Sequence, residues 1–334
     1  MPSPHVPLAA PAAPSRASGR ELVAAAIAAA RARGEQLPRK PRKPRRVHHP
    51  FGLEALYFSR LRGAARRLFG EIDRWLEANY SGMLANRAPV AQRSVRAEGL
   101  VAEKQGRRDA AARFDDLDRQ LSRFEEIVHR RWGRLSPDLV RQAQDIARRV
   151  NRENIRVFDE QNRHVLGVSV EAAEPWLADE EAIFAHENAA LIRDIGATAT
   201  RRVAALVTDC VRNGSSTSDL RKAVQEELGI ATRRAALIAV DQVGKFNGRL
   251  TQRRQQAIGI TNYRWRGVLD QRERPAHVAR EGVEFAWDDP PSDGNPGEPI
   301  RCRCVAEPVM EDFADLLEPR PTFRTGGSAS QQDV

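Results

Sequence analysis

From Phe51 onward apolar residues recur at intervals of three and four: Leu53, Leu56, Leu61, Ala64, Ala65, Leu68, Phe69, Ile72, Trp75 and Leu76. That spacing winds one apolar stripe along a helix of about seven turns. Phe114, Leu117, Leu121, Phe124 and Val128 repeat the pattern as a seam and predict a second helix over 110–132. Trp75 and Trp132 lie in line with these stripes, which favours a shared core over a groove for another subunit. The weakly patterned stretch from Gly82 to Gly106 predicts a loop with a short helix.

Ser136-Pro137 fits an N-cap followed by proline at the first helical position, launching a third helix toward Phe158 through Leu139, Ala143, Ile146 and Val150. A β-branched interruption follows at 165–170. Residues 178–212 then predict a long helix with Ile183, Leu191, Ile195, Val203, Leu206, Cys210 and Val211 facing inward, stopped at Asn213-Gly214. Ser218 would cap a short helix closed by Gly229, and another helix runs over 232–257 to Gly259.

Beyond Gly259 the period shortens toward strands at 263–268, 283–287 and 301–306, with a Pro/Gly/Asp loop at 288–299. The expected fold is therefore mostly α: an elongated helical body over 51–230, then a C-terminal α+β domain at 231–312 with a small antiparallel sheet. Residues 1–50 are expected to form a disordered basic arm containing one marginal alanine helix at 21–33, and 313–334 a flexible tail.

Charge adds a class of partner. The 334 residues carry 54 Lys and Arg against 45 acids, net +9, a balance suited to polyanions or acidic protein surfaces. Arg39, Lys40, Arg42, Lys43, Arg45 and Arg46 are concentrated in one stretch whose prolines block helix. No aromatic residue is interleaved, so phosphate attraction to double-stranded DNA without base stacking is the expectation, with a solvated tail or a tether to an acidic protein patch as the other readings. The apolar run from Leu22 to Ala30 is too short to span a bilayer, so a soluble, intracellular protein without membrane contact is expected. Three cysteines make no even disulfide framework and point to a reducing compartment.

The chemistry concentrates in one polar block set among Trp, Phe and Pro: Trp265, Asp270, Arg272, Arg274, His277, Cys302, Arg303 and Cys304. Burying such groups costs free energy unless each is paired, so they imply a specified cluster. Asp270, His277, Cys302 and Cys304 together supply donors suited to tetrahedral zinc, although Cys-x-Cys is not the usual Cys-x-x-Cys knuckle. The competing reading is structural: Asp270 accepts from Arg272 or Arg274, His277 bonds a strand carbonyl, and the cysteines are small buried residues. His277 with either cysteine could also form a thiol nucleophile, but neither an oxyanion hole nor an orienting third residue can be named. No Walker motif or His-Glu-x-x-His is present.

The order and spacing over 234–308 resemble the C-terminal domain of phage minor head proteins, the phage Mu F-like head-morphogenesis family. The resemblance rests on Arg234-Ala-Ala-Leu-Ile-Ala-Val-Asp-Gln242, Lys245, Asn247, Gly259-Ile, Tyr263-Arg-Trp265, the run from Asp270 to His277, Gly282, Phe285-Ala-Trp287-Asp-Asp-Pro-Pro291, and Pro296 through Cys304 to Pro308. Val240-Asp241 stands where many members carry Thr-Glu, and Gly267 where Thr or Ser often follows the Trp. The resemblance implies a non-catalytic minor capsid protein that associates with the portal and with major capsid or scaffolding proteins. Its place would be the virion head interior, and the host cytoplasm during assembly. No catalytic residue or cofactor is implied, with zinc left open. The alternative is a zinc-dependent hydrolase or nuclease built on His277, Cys302 and Cys304.

Overall fold

The structure is a computed structural model that describes residues 16–85 and 99–318, with side chains from 18–85 and 115–318. Four long helices dominate: α2 (Phe51–Ala85), α3 (Gly99–Leu166), α4 (Leu177–Asn213) and α5 (Thr217–Ala257). They pack as a bundle in which α5 contacts α2, α3 and α4. Tyr57, Leu61, Leu68, Ile72, Leu76 and Tyr80 of α2 face Phe124 and Trp132 of α3, Phe184 and Val203 of α4, and Phe246 of α5 in one apolar core. The expected helical body with a small C-terminal sheet is what forms.

Several features of the bundle differ from expectation. Pro137 lies inside α3 rather than starting a helix. Its missing N–H and its ring free the Gly133 carbonyl from the helical ladder, and Ser136 Oγ donates to that carbonyl at 3.4 Å. Of the expected 82–106 loop, residues 82–85 end α2 and residues 99–106 begin α3, while 86–98 lie outside the described residues. Ser216, not Ser218, caps α5: its Oγ accepts from Asp219 N–H at 3.1 Å while Asp219 Oδ2 accepts from Ser216 N–H at 3.3 Å. Gly229 is then interior to a continuous helix, since bundle packing outweighs the cost of one glycine. Ile183 is exposed, because the buried face of α4 runs through Phe184, Asn188 and Ile192. Asn188 is satisfied there by Tyr57, whose hydroxyl donates at 2.5 Å, and by Gln242 at 2.9 Å.

The basic segment is not a free arm over its described part. Helix α1 (Arg16–Ala32) buries Val23, Ile27 and Ala30 in a second apolar cluster with Val165, Val168, Ile258, Ile260, Phe313 and Leu317. The 165–170 interruption is thus apolar packing at the end of α3, with no strand. Arg42 N–H donates to the Val165 carbonyl at 3.0 Å, and Gln161 pairs with both backbone groups of Arg45. The start of the expected tail is ordered too: a 3-10 turn at Glu311–Phe313 and α7 (Ala314–Leu317) cover α1, where Arg31 donates to the Leu317 carbonyl at 2.8 Å. Residues 1–15 and 319–334 lie outside the described residues.

The sheet is antiparallel with order β2-β1-β3: β1 (Asn262–Arg266), β2 (Glu284–Ala286) and β3 (Val305–Pro308). Trp265 pairs with Ala306, and Tyr263 with Phe285 and Pro308. The third strand starts later than expected because Arg301 holds a left-handed φ of 61° in a turn. Among the described residues no helix is long and apolar enough to cross a membrane.

Candidate metal centre

Alternation along β1 buries Tyr263 and Trp265 on one face, where Trp265 meets the His277 imidazole edge-on at 5.1 Å. The turn after β1 is tied by its own side chains. Arg272 donates from its backbone and its guanidinium to Asp270, and Glu273 accepts from Leu269 N–H. Proline at the first position of the short helix α6 (Pro275–Val278) then sets the backbone that delivers His277 inward.

Cys302 and Cys304 approach from the other side, on a loop that rests on α5. A Cβ at Gly244 would lie 2.7 Å from the Cys302 carbonyl oxygen, and one at Gly248 2.6 Å from that of Pro296. These glycines let the loop backbone touch the helix. Two positions apart in an extended segment, the two cysteines share a face, whereas Arg303 between them points away. Arg303 forms a two-pronged pair with Glu54 in the first turn of α2 at 2.8 and 2.6 Å, and His49 joins that carboxylate at 2.9 Å. Burial pushes Glu54 upward, but the Arg303 and His49 hydrogen bonds outweigh it and hold the carboxyl at about 2.

At the centre, His277 Nδ1 stands 3.7 Å from Cys302 Sγ and 3.4 Å from Cys304 Sγ. The three donor atoms lie within 4.8 Å of one another, and all three residues are buried. His277 Nε2 is bonded to Asp293 at 3.0 Å rather than to a strand carbonyl, and Arg280 holds the other oxygen of Asp293 at 2.6 Å. Burial alone would raise the Asp293 carboxyl; His277 and Arg280 keep it below its ordinary value. The thiols are unequal. A hydrogen bond from Cys304 lowers Cys302 below the ordinary thiol range, with Gly297 N–H assisting against burial. Cys304, which donates that bond, is raised, and burial and the nearby Glu273 add to this. All three cysteines are free thiols.

Asp270 is not brought into the cluster, because Arg272 occupies its carboxylate. The oxygen that does reach the thiols is Glu273 Oε1, 3.3 Å from Cys304 Sγ. A Cβ at Gly267 would fall 2.2 Å from that same oxygen, so the absence of a side chain at 267 gives Glu273 its place. Arg274 donates to the Ile300 carbonyl at 2.5 Å. Over the cluster lies a cavity of about 360 Å³, rimmed by Arg272, Arg274, Arg301 and Arg303. Glu273 and Asp293 were missed by sequence reasoning. Glu273 sits within the singled-out run, but nothing in the spacing distinguishes it from Asp270, and Asp293 has no signal beyond its acidic loop.

The six basic residues Arg39, Lys40, Arg42, Lys43, Arg45 and Arg46 are all exposed on the docked segment. Arg46 is engaged, donating to Glu281 at 3.0 Å and to the Gly267 carbonyl at 2.8 Å.

Residues 201–307 match the family described as "Phage Mu protein F like protein", from the second half of α4 into β3. A curated Haemophilus influenzae (strain ATCC 51907 / DSM 11121 / KW20 / Rd) relative, described as "Uncharacterized protein", is 33% identical over 135 residues, covering 40% of this chain. The chain spans only 30% of that relative's length. No solved structure matches.

Proposed function

We propose that this chain, phage Mu protein F-like over residues 201–307, is a non-catalytic minor capsid protein of head morphogenesis, associating with the portal and the capsid interior during head assembly. The family match is the observation that carries this reading. The architecture accords with it. Long bundled helices present extended surface to other head proteins, and the polar block ties the sheet module to α2 through the Arg303–Glu54 pair.

The exposed basic segment supplies the second half of the proposal. Anchored by its backbone to α3, it displays cations without stacking residues, a surface suited to packaged double-stranded DNA in a sequence-independent way. Co-expression with the portal and major capsid proteins tests the assembly reading. Head-sized particles should retain the chain through sedimentation, together with portal. Particles that form in equal number, shape and composition whether or not the chain is present would overturn it.

A further inference from the structure

We infer that Glu273, His277, Cys302 and Cys304 form a structural zinc site. With metal–sulfur bonds of about 2.3 Å and metal–nitrogen or metal–oxygen bonds of about 2.0–2.2 Å, tetrahedral donors sit about 3.5–3.8 Å apart. Nδ1 of His277 lies 3.7 and 3.4 Å from the two sulfurs, and Glu273 Oε1 lies 3.3 Å from Cys304 Sγ. The two histidine–sulfur separations and the Cys304–Glu273 separation are therefore within a few tenths of an ångström of those required before any ion is added, and Glu273, which lies outside the 4.8 Å group of His277, Cys302 and Cys304, is the one donor that must shift to complete the sphere.

The surroundings match as well. Asp293 accepts from Nε2 of His277, which leaves the Nδ1 lone pair turned toward the thiols, the carboxylate–histidine arrangement that orients a metal-bound imidazole. Arg280 fixes that carboxylate in turn. Gly297 N–H points at Cys302 Sγ at 3.4 Å, a contact that favours the thiolate over the thiol. Two thiolates, a carboxylate and a neutral imidazole carry three negative charges, offset by a divalent ion and by the arginines rimming the cavity.

Thiolate with imidazole selects zinc over magnesium or calcium, which take oxygen donors. Four side chains fill a tetrahedral sphere and leave no position for a reacting water, so the centre is a staple between the 267–277 turn and the 295–304 loop. A thiol nucleophile fits less well. Both sulfurs face the same imidazole nitrogen, and Cys302 and Cys304 are only 3% and 5% exposed. The site stands independently of the head-assembly reading.

Metal-free, reduced full-length protein would be titrated with Zn2+ and, in parallel, with Co2+, whose thiolate charge-transfer absorption reports the ligands directly. One ion per chain is expected, with the cobalt spectrum of a tetrahedral two-thiolate site. Cys302→Ser and Cys304→Ser should each change that spectrum and weaken binding, and Glu273→Gln should lower zinc affinity by about tenfold or more. Asp270→Asn should leave stoichiometry and spectrum unchanged. Reduced wild-type protein with native circular dichroism that takes up neither ion would overturn the site, as would uptake that survives replacement of both cysteines. Binding unaltered by Glu273→Gln but weakened by Asp270→Asn would overturn the assignment of the fourth donor.

Discussion

The pyrrole side of the Trp132 indole of α3 packs onto the backbone of α4 at Gly196: a Cβ placed there would come within 2.2 Å of the ring, and the indole N–H donates to the Ile192 carbonyl at 3.1 Å. Neither the helix backbone nor a rigid ring tied to it by the indole N–H gives way easily. Gly196→Ala should lower stability by about 2 kcal/mol or more despite the higher helix propensity of alanine. Denaturant unfolding checks this; a variant as stable as wild type would mean that Trp132 is free to move.

Glu54 predicts the response to acid. Its carboxyl ionises at about 2 in the folded chain against an ordinary 4.5, so its contribution is fully present above 4.5 and is lost as pH falls toward 2. Stability should drop across that window. Glu54→Gln should cost about 2 kcal/mol at neutral pH, since it removes the negative charge and one of the two acceptor oxygens that Arg303 and His49 share, and should flatten the acid dependence. Thermal melts at pH 7 and at several values between 5 and 2, for both proteins, make the comparison.

Gly244 should control the thiols from a distance. A methyl group there meets the Cys302 carbonyl at 2.7 Å and would lift the loop off α5. Gly244→Ala should therefore raise the rate at which Cys302 and Cys304 react with a thiol reagent, by tenfold or so, while the α2–α5 bundle keeps its helical content. Timed labelling read by mass spectrometry distinguishes these two cysteines from Cys210.

Arg254 is 2% exposed at the far end of α5, where it donates to Glu174 at 2.6 and 2.9 Å and to Asn154 and Asn151. Replacing it with Met keeps the volume and strands these acceptors. A loss of about 3 kcal/mol is expected, read from urea unfolding midpoints.

For the basic segment, replacing Arg39, Lys40, Arg42 and Lys43 together by Ala should weaken binding to duplex DNA and reduce the slope of log affinity against log salt by about 0.9 for each phosphate contact removed. Arg45 and Arg46 are best left in place, since Arg46 ties the segment to Glu281. An unchanged slope in fluorescence anisotropy at several salt concentrations would assign the segment to protein contacts instead.

Long periodicity made the helical body legible in the sequence. The α2 stripe could be read because its buried positions hold to one face along the whole helix, through Tyr80 and Met83. Pro137 and Gly229 misled because each is a local breaker, and tertiary packing along a bundle overrides one unfavourable residue. In the site, His277, Cys302 and Cys304 were legible as scarce residue types in one block. Glu273 was not: which of two carboxylates in a turn faces inward depends on backbone torsions, here including the left-handed Leu269 at φ 59°, and on the space left by Gly267. The arm read as free because cationic, proline-rich composition says nothing about the backbone bonds that Val165 and Gln161 supply from far along the chain.

The cluster that joins α1 to α7 sets an order of events during synthesis. Val23 and Ile27 leave the ribosome long before Phe313 and Leu317, which complete their apolar surroundings. Until then α1 has only part of its packing, and a contact between residues so far apart in sequence is among the slowest to form. The nascent protein thus carries an unsatisfied apolar helix beside a cationic segment while the whole bundle between them is being made. Closure of that clasp waits for the sheet module to emerge.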